Sequence, residues 1–257
     1  MLTTAILSAL AEEQQGLIAL LENPVPVERA GRVFWQGHLG GKPVVLALSR
    51  IGKVSAATTA TALIEAFGVK RMVFTGVAGG VGAGVAMGDA VVATGFVQHD
   101  MNASPLYPRF EAPLYGRRQF DCDPALTAIL LEATRAALTG AGGQFDHKSV
   151  GGLSGMPAVH TVHAGLLASG DRFVSGVEES QTLLTSLKAV GLAPLAVEME
   201  GAAVAQVCFD YQVPFAAVRT ISDRADDAAL HDFNRFVQYI ASPWARAIIQ
   251  NLMPRLA

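Results

Sequence analysis

Short apolar runs of strand type alternate with stretches of helical spacing along this chain, and that alternation constrains its fold more than any other feature. Thr4–Ala9 is a compact apolar run followed by two carboxylates, and Glu13–Glu22 then carries Leu17, Leu20 and Leu21 at helical spacing. Arg32–Gly37 and Pro43–Ser49 flank Gly40-Gly41, a hairpin signal, while the Ala-rich stretch Gly52–Phe67 stops before Gly68, a residue suited to ending a helix. Arg71–Thr75 and Ala90–Phe96 read as strands joined by the loop GVAGGVGAGVAMGD. Later strands are expected at Gly165–Ser169, Leu195–Val197 and Phe215–Val218, and helices at Pro124–Leu138, Thr182–Ala189, Gly201–Phe209 and Phe233–Met253. The pattern predicts an α/β fold of three layers, αβα, around a mixed, mainly parallel twisted sheet, with ligands at the strand ends. No repeat or linker divides the chain, so one domain over residues 1–257 is expected, with Gly140–Gly155 as a mobile glycine-rich insertion.

Composition narrows the function. Hydrophobic residues make up 51% of the chain against 16% charged, enough for a large core. A net charge of −3 without any Lys/Arg block argues against nucleic acid as a partner. Cys122 and Cys208 lie far apart and form no CxxC pair, so neither zinc nor a disulfide framework is implied and a reducing, cytoplasmic setting fits. The apolar Leu2–Leu10 has no basic residue before it and Glu12-Glu13 after it, unlike a secretory signal. Six glycines interrupt the uncharged stretch between Arg71 and Asp89, which is also short of a membrane span. No membrane association is expected.

Gly82, Gly84 and Gly88 loosely resemble a dinucleotide fingerprint, but that motif must open a helix, and here Asp89-Ala90-Val91-Val92 opens a strand. No nucleotide cofactor is implied. Gly76, Gly79 and Gly80, at a strand end, suit close approach of backbone to a ligand. Three acids, Glu13, Glu200 and Asp223, each closely follow an apolar strand, where each serves either as a cap of the next helix or as a functional group.

Their wording in the sequence decides between these. Ala196-Val197-Glu198-Met199-Glu200-Gly201-Ala202-Ala203 and Val218-Arg219-Thr220-Ile221-Ser222-Asp223, together with Ser49-Arg50-Ile51-Gly52-Lys53-Val54, Thr75-Gly76-Val77-Ala78-Gly79-Gly80 and Ser169-Gly170-Asp171-Arg172-Phe173, resemble the methylthioadenosine/S-adenosylhomocysteine nucleosidases, a branch of the purine and uridine phosphorylase family. The resemblance covers most of the chain and implies a nucleoside phosphorylase-like fold and hydrolysis of an N-glycosidic bond. It implies that Asp223 protonates or hydrogen-bonds purine nitrogen 7, that Glu13 activates water, that Arg219 orients that water, and that Ser222 holds Asp223. Glu200 would accept hydrogen bonds from the ribose hydroxyls beside Met199, Phe173 would stack on the purine, and the backbone of Val174 would read its edge. Val77 and Gly79 would take part in substrate binding, and Leu10, Ile51, Phe173, Met199 and Phe233 would form a 5′-alkylthio pocket. An Asp at the purine favours adenine. A small-molecule adenine nucleoside is the implied partner, no cofactor or metal is implied, and a homodimer is expected from the family.

Two departures stand out: Val77 replaces a Ser found in many members, and His99-Asp100-Met101-Asn102-Ala103-Ser104-Pro105 differs from the best-known ones. The histidines between His147 and His163 show no metal-ligand spacing and read as solvated loop residues. Two rival readings stay open. In a phosphorylase Arg50 would meet phosphate, although Glu13 in the same space would repel it. A nucleoside-binding protein without turnover would have no use for Glu13.

Overall fold

The computed structural model describes residues 2–139 and 159–257. Ten strands build a single mixed sheet: β1 Thr4–Ser8, β2 Glu22–Arg29, β3 Arg32–Leu39, β4 Lys42–Leu48, β5 Arg71–Gly80, β6 Ala90–Gln98, β7 Gln119–Asp121, β8 Val162–Ser169, β9 Ala196–Glu198 and β10 Phe215–Asp223. The helices are α1 Ala11–Ile18, α2 Lys53–Phe67, α3 Pro124–Thr139, α4 Val177–Lys188, α5 Gly201–Tyr211, α6 Ala229–Phe236 and α7 Ser242–Leu252. The strand order is β10-β6-β8-β9-β5-β1-β4-β3-β2, with β7 on β6. Because β10 also pairs with β5, the strands β5, β10, β6, β8 and β9 close into a ring, and β1, β4, β3 and β2 continue from it as an open flank.

Alternation along the central strands assigns the layers. Ala5, Leu7, Met72 and Phe74 face the core under α2 and α5, where Ala56, Ala60, Leu63, Ala202 and Ala205 pack, whereas Ile6 and Val73 face Leu17, Leu130, Ile248 and Leu252 of α1, α3 and α7. Every residue of β1 and β10 is buried, as strands covered on both faces require. Parallel pairing of β1 with β4 and β5, and of β5 with β10, brings four strand ends to one edge.

Several local expectations are corrected. Residues 22–29 form β2 although they carry Pro24 and Pro26; this strand pairs only with β3, and an edge strand tolerates a missing N–H. Strand β5 runs on through Gly80 instead of ending at Thr75. The glycines there make room for β10: a Cβ at Gly76 would lie 3.2 Å from Arg219 Nη1, and one at Gly79 only 2.8 Å from Asp223 Oδ1. The expected helix Phe233–Met253 starts earlier and is broken by a π turn over Val237–Ala241, just before Pro243, whose ring nitrogen cannot bond to the carbonyl four residues back.

The histidine reading is corrected too. His163 opens onto Asp89, with Nε2 2.9 Å from Oδ2, and His160 lies edge-on to Trp244 at 5.0 Å, so these two support the start of β8 and the packing of α7. His147 and the Gly140–Gly155 insertion lie outside the described residues. Cys122 and Cys208 are buried and free. No helix among the described residues is long and apolar enough to cross a membrane.

Candidate active site

Where the ends of β1, β5 and β10 meet, a cavity of about 310 Å³ opens, and its lining is mostly apolar. Leu10, Ile51, Val77, Gly79, Phe173, Val174, Met199, Glu200, Ser222, Asp223 and Phe233 all line it. The two other expected residues, Glu13 and Arg219, stand behind this lining, each almost completely buried.

Glu13 sits in the first turn of α1, where its Oε2 accepts hydrogen bonds from the Ala9 and Leu10 amides at 3.2 Å each. These are amides of the loop that lines the cavity, and the other oxygen takes no hydrogen bond among the described residues. Burial raises its pKa to about 7, against the opposing pull of Arg219 and the two amides. A carboxyl near pH 7 is well matched to taking a proton from water under physiological conditions.

Asp223 ends β10. Its Oδ2 accepts from the Ser222 hydroxyl at 2.8 Å and its Oδ1 from the Ala225 amide at 2.9 Å. Burial raises its pKa, and the charges of Asp226 and Asp232 add to that, while the two hydrogen bonds oppose it. The neutral acid, the form that donates a proton, is thereby favoured relative to an exposed Asp.

Glu200 stands at the N-cap position of α5 without a side-chain capping bond and instead accepts from the Gly52 amide at 3.0 Å, a bond that ties the loop after β4 to the site. Its pKa is raised, first by burial and then by the neighbouring Glu198 charge. Phe173 meets Phe233 edge to face with ring centroids 5.5 Å apart, forming an aromatic wall at the cavity.

The residue that organises the buried end is Glu198, which carried no role in the sequence reading. It accepts from Arg219 Nη2 at 2.7 Å, from the Glu200 amide at 3.1 Å, from the Gly201 amide at 2.8 Å and from the Ser169 hydroxyl. Arg219, stacked 4.0 Å over the Phe74 ring, is thus held by a carboxylate. The available signal was the spacing Glu198-Met199-Glu200: residues two apart at a strand end share a side of the sheet. Arg172 also lines the cavity and was passed over.

Arg50 is placed away from the site where phosphate would bind. Its guanidinium donates to the Gly31 carbonyl at 2.5 Å, and the residue is not part of the cavity lining. Val77 supplies an apolar wall where a hydroxyl was expected for an anion site. The segment from His99 to Pro105 does not line the cavity; Asp100 in it instead forms an ion pair with Lys53. No group of three or more His, Cys, Asp or Glu side chains among the described residues is arranged to hold a metal ion.

A family model for the Phosphorylase superfamily matches residues 3–253. The chain is similar to the aminodeoxyfutalosine nucleosidase of Helicobacter pylori strain J99, 34% identical over 244 residues that cover 94% of each protein. It is also similar to the 5′-methylthioadenosine/S-adenosylhomocysteine nucleosidase of Haemophilus ducreyi, 33% identical over 251 residues, 98% of this chain and 97% of that one. Among solved structures, the Neisseria meningitidis 5′-methylthioadenosine/S-adenosylhomocysteine nucleosidase in complex with methylthio-immucillin-A superposes with a TM-score of 0.85 at 31% identity, covering 100% of both chains.

Proposed function

This chain belongs to the phosphorylase superfamily, and from that premise we propose that it is a nucleosidase that hydrolyses the N-glycosidic bond of adenine nucleosides, 5′-methylthioadenosine and S-adenosylhomocysteine among them. The observation that carries this reading is the pairing of a buried, raised-pKa Glu13 with a buried Asp223 around one apolar cavity at whose buried end the arginine, Arg219, is already held by Glu198. Phosphate brought beside Glu13 would meet a carboxylate and find no uncommitted cation there, so water is the nucleophile the charges favour.

In this mechanism neutral Asp223 protonates nitrogen 7 as the base departs, help typically worth about 10² to 10⁴ in rate. Ser222 keeps the carboxyl turned toward the base. Ionised Glu13 removes a proton from water attacking the oxocarbenium-like sugar from the opposite face. Glu200 receives the ribose hydroxyls, and Met199 packs on the sugar. Phe173, backed by Phe233, forms the platform for the purine, whose edge the Val174 backbone reads. Val77 and Gly79 close the sugar side, and Leu10, Ile51 and Phe233 receive the 5′ substituent. An aspartic acid serves both nitrogen 7 and the exocyclic amine, which favours adenine.

We propose in addition that the protein is a single domain working as a cytoplasmic homodimer. Support for the dimer comes from apolar side chains left on the surface, Val54 at 79%, Leu106 at 83% and Leu114 at 89% exposure. Light scattering tests this, and a monomer mass would remove it.

The function is tested by following adenine release from 5′-methylthioadenosine in phosphate-free buffer and again with phosphate added. The expected result is release without phosphate, with free 5-methylthioribose as the second product. Release that requires phosphate and yields the sugar 1-phosphate would overturn it.

A further inference from the structure

The cavity has two chemically distinct ends. Glu200 and Asp223, at 5% and 2% exposure, mark the buried end, whereas Ile51 and Leu230, at 56% and 61%, mark the mouth. Among the lining residues there is one cation, Arg172. Its side chain is 75% exposed, and its Nε lies 2.8 Å from Glu179 Oε1 on α4. The loop that carries it is tied to the segment that carries Ile51: the Lys53 amide donates to Asp171 Oδ1 at 2.7 Å. Resting on the nucleosidase reading, a nucleoside with its base and ribose at the buried carboxylates sends its 5′ substituent along the apolar wall toward this arginine.

We infer that Arg172 is a specificity-determining residue that favours adenine nucleosides whose 5′ substituent ends in a carboxylate. A guanidinium offers a planar fork that fits a carboxylate with two parallel hydrogen bonds, and a purely apolar substituent leaves it unused. Its present partner is easily exchanged, because an ion pair this exposed contributes little. Two kinds of substituent end this way: a plain alkyl or aryl acid, and an amino acid that carries an ammonium group as well. Glu179 separates them, since it would compete with the first for Arg172 and would receive the ammonium of the second.

The test is calorimetric binding of three 7-deazaadenosine derivatives, chosen because they lack nitrogen 7: the 5′-butylthio, the 5′-carboxypropylthio and the 5′-homocysteinyl compounds. Wild-type protein is expected to bind the carboxypropylthio compound about fivefold more tightly than the butylthio one, the modest gain expected of an exposed charge pair. Arg172→Gln is expected to abolish that preference. An equal preference in Arg172→Gln and wild type, or none in wild type, overturns the inference. With the preference established, Glu179→Gln identifies its source: tighter carboxypropylthio binding with weaker homocysteinyl binding assigns the amino acid, and tightening of both assigns the plain acid. Binding requires no turnover, so a protein that shows the preference yet releases no adenine from 5′-methylthioadenosine breaks the nucleosidase reading and leaves the role of Arg172 standing. Failure to bind any of the three compounds breaks both.

Discussion

The floor of the cavity comes from β9, β10 and the starts of α1 and α5, its mouth from α6 and the loops after β4 and β8, and the two obey different physics. At the floor, Glu13, Glu198, Glu200 and Asp223 are withdrawn from water, and burial raises the pKa values of Glu13, Glu200 and Asp223. At the mouth, Ile51, Phe173, Leu230 and Arg172 are in contact with solvent, and a charge there is screened. In the proposed mechanism this difference divides the labour: proton transfer would draw on the shifted acids of the floor, and the 5′ substituent would be sorted by modest contacts at the mouth. Substitutions at the floor should therefore have large effects on rate and stability, and substitutions at the mouth small effects on affinity.

The largest effect is expected for Asp223→Asn, which keeps the shape and removes the proton. Its kcat for adenine release should fall by about 10² to 10⁴, and a smaller loss would mean that the base leaves without help from this acid. Next comes Arg219→Met. It leaves Glu198 buried without its cation, a kind of change that costs about 3–5 kcal/mol. Denaturant unfolding should show that loss, and an unchanged midpoint would place Arg219 outside the structural framework of the floor.

Glu13→Gln sharpens the comparison through pH. Because the folded-state pKa of Glu13 is raised from 4.5 to about 7, the folded protein carries no penalty from this group below pH 4.5, an increasing one between 4.5 and 7, and the full penalty above 7. A rise of that size corresponds to roughly 3 kcal/mol. The variant should thus be more stable than wild type by up to that amount at pH 8 and nearly equal to it at pH 4.5, as read from denaturant midpoints at both pH values. Equal stability throughout would show that Glu13 is ionised at little cost. The smallest effect belongs to the mouth: Phe173→Leu keeps the apolar contact and loses the ring face, and should weaken adenine binding by about 1 kcal/mol, roughly fivefold in Kd.

Much of this was legible in the sequence, for reasons that differ by region. The central strands were readable because burial on both faces demands continuous apolar runs such as Ala216–Val218, and α2 because Gly68 ends it in the left-handed conformation, with φ 59°. Cavity residues were placed by motif wording; composition and periodicity alone would have left Glu13 and Glu200 as helix caps. Strand β2 was hidden because Pro24 and Pro26 argue against a strand, and only its edge position permits them. The reach of β5 through Gly80 was hidden for a related reason. Gly76 and Gly79 read as loop residues, yet they are small because Arg219 and Asp223 from β10 occupy the space a side chain would fill. The part played by Glu198 was only half legible: its spacing from Glu200 put both on one side of the sheet, but its partners Ser169, Gly201 and Arg219 come from β8, α5 and β10 and meet only when the strand ring closes.

The proposed mechanism has Glu13 activate water at a site that would bind a nucleoside equally well without it. It is tested most directly by measuring, for wild type and Glu13→Gln side by side in phosphate-free buffer, both adenine release from 5′-methylthioadenosine and calorimetric binding of adenine. The account predicts that release falls at least about 100-fold in the variant while adenine still binds. Release at a near wild-type rate in Glu13→Gln would contradict it and require another base.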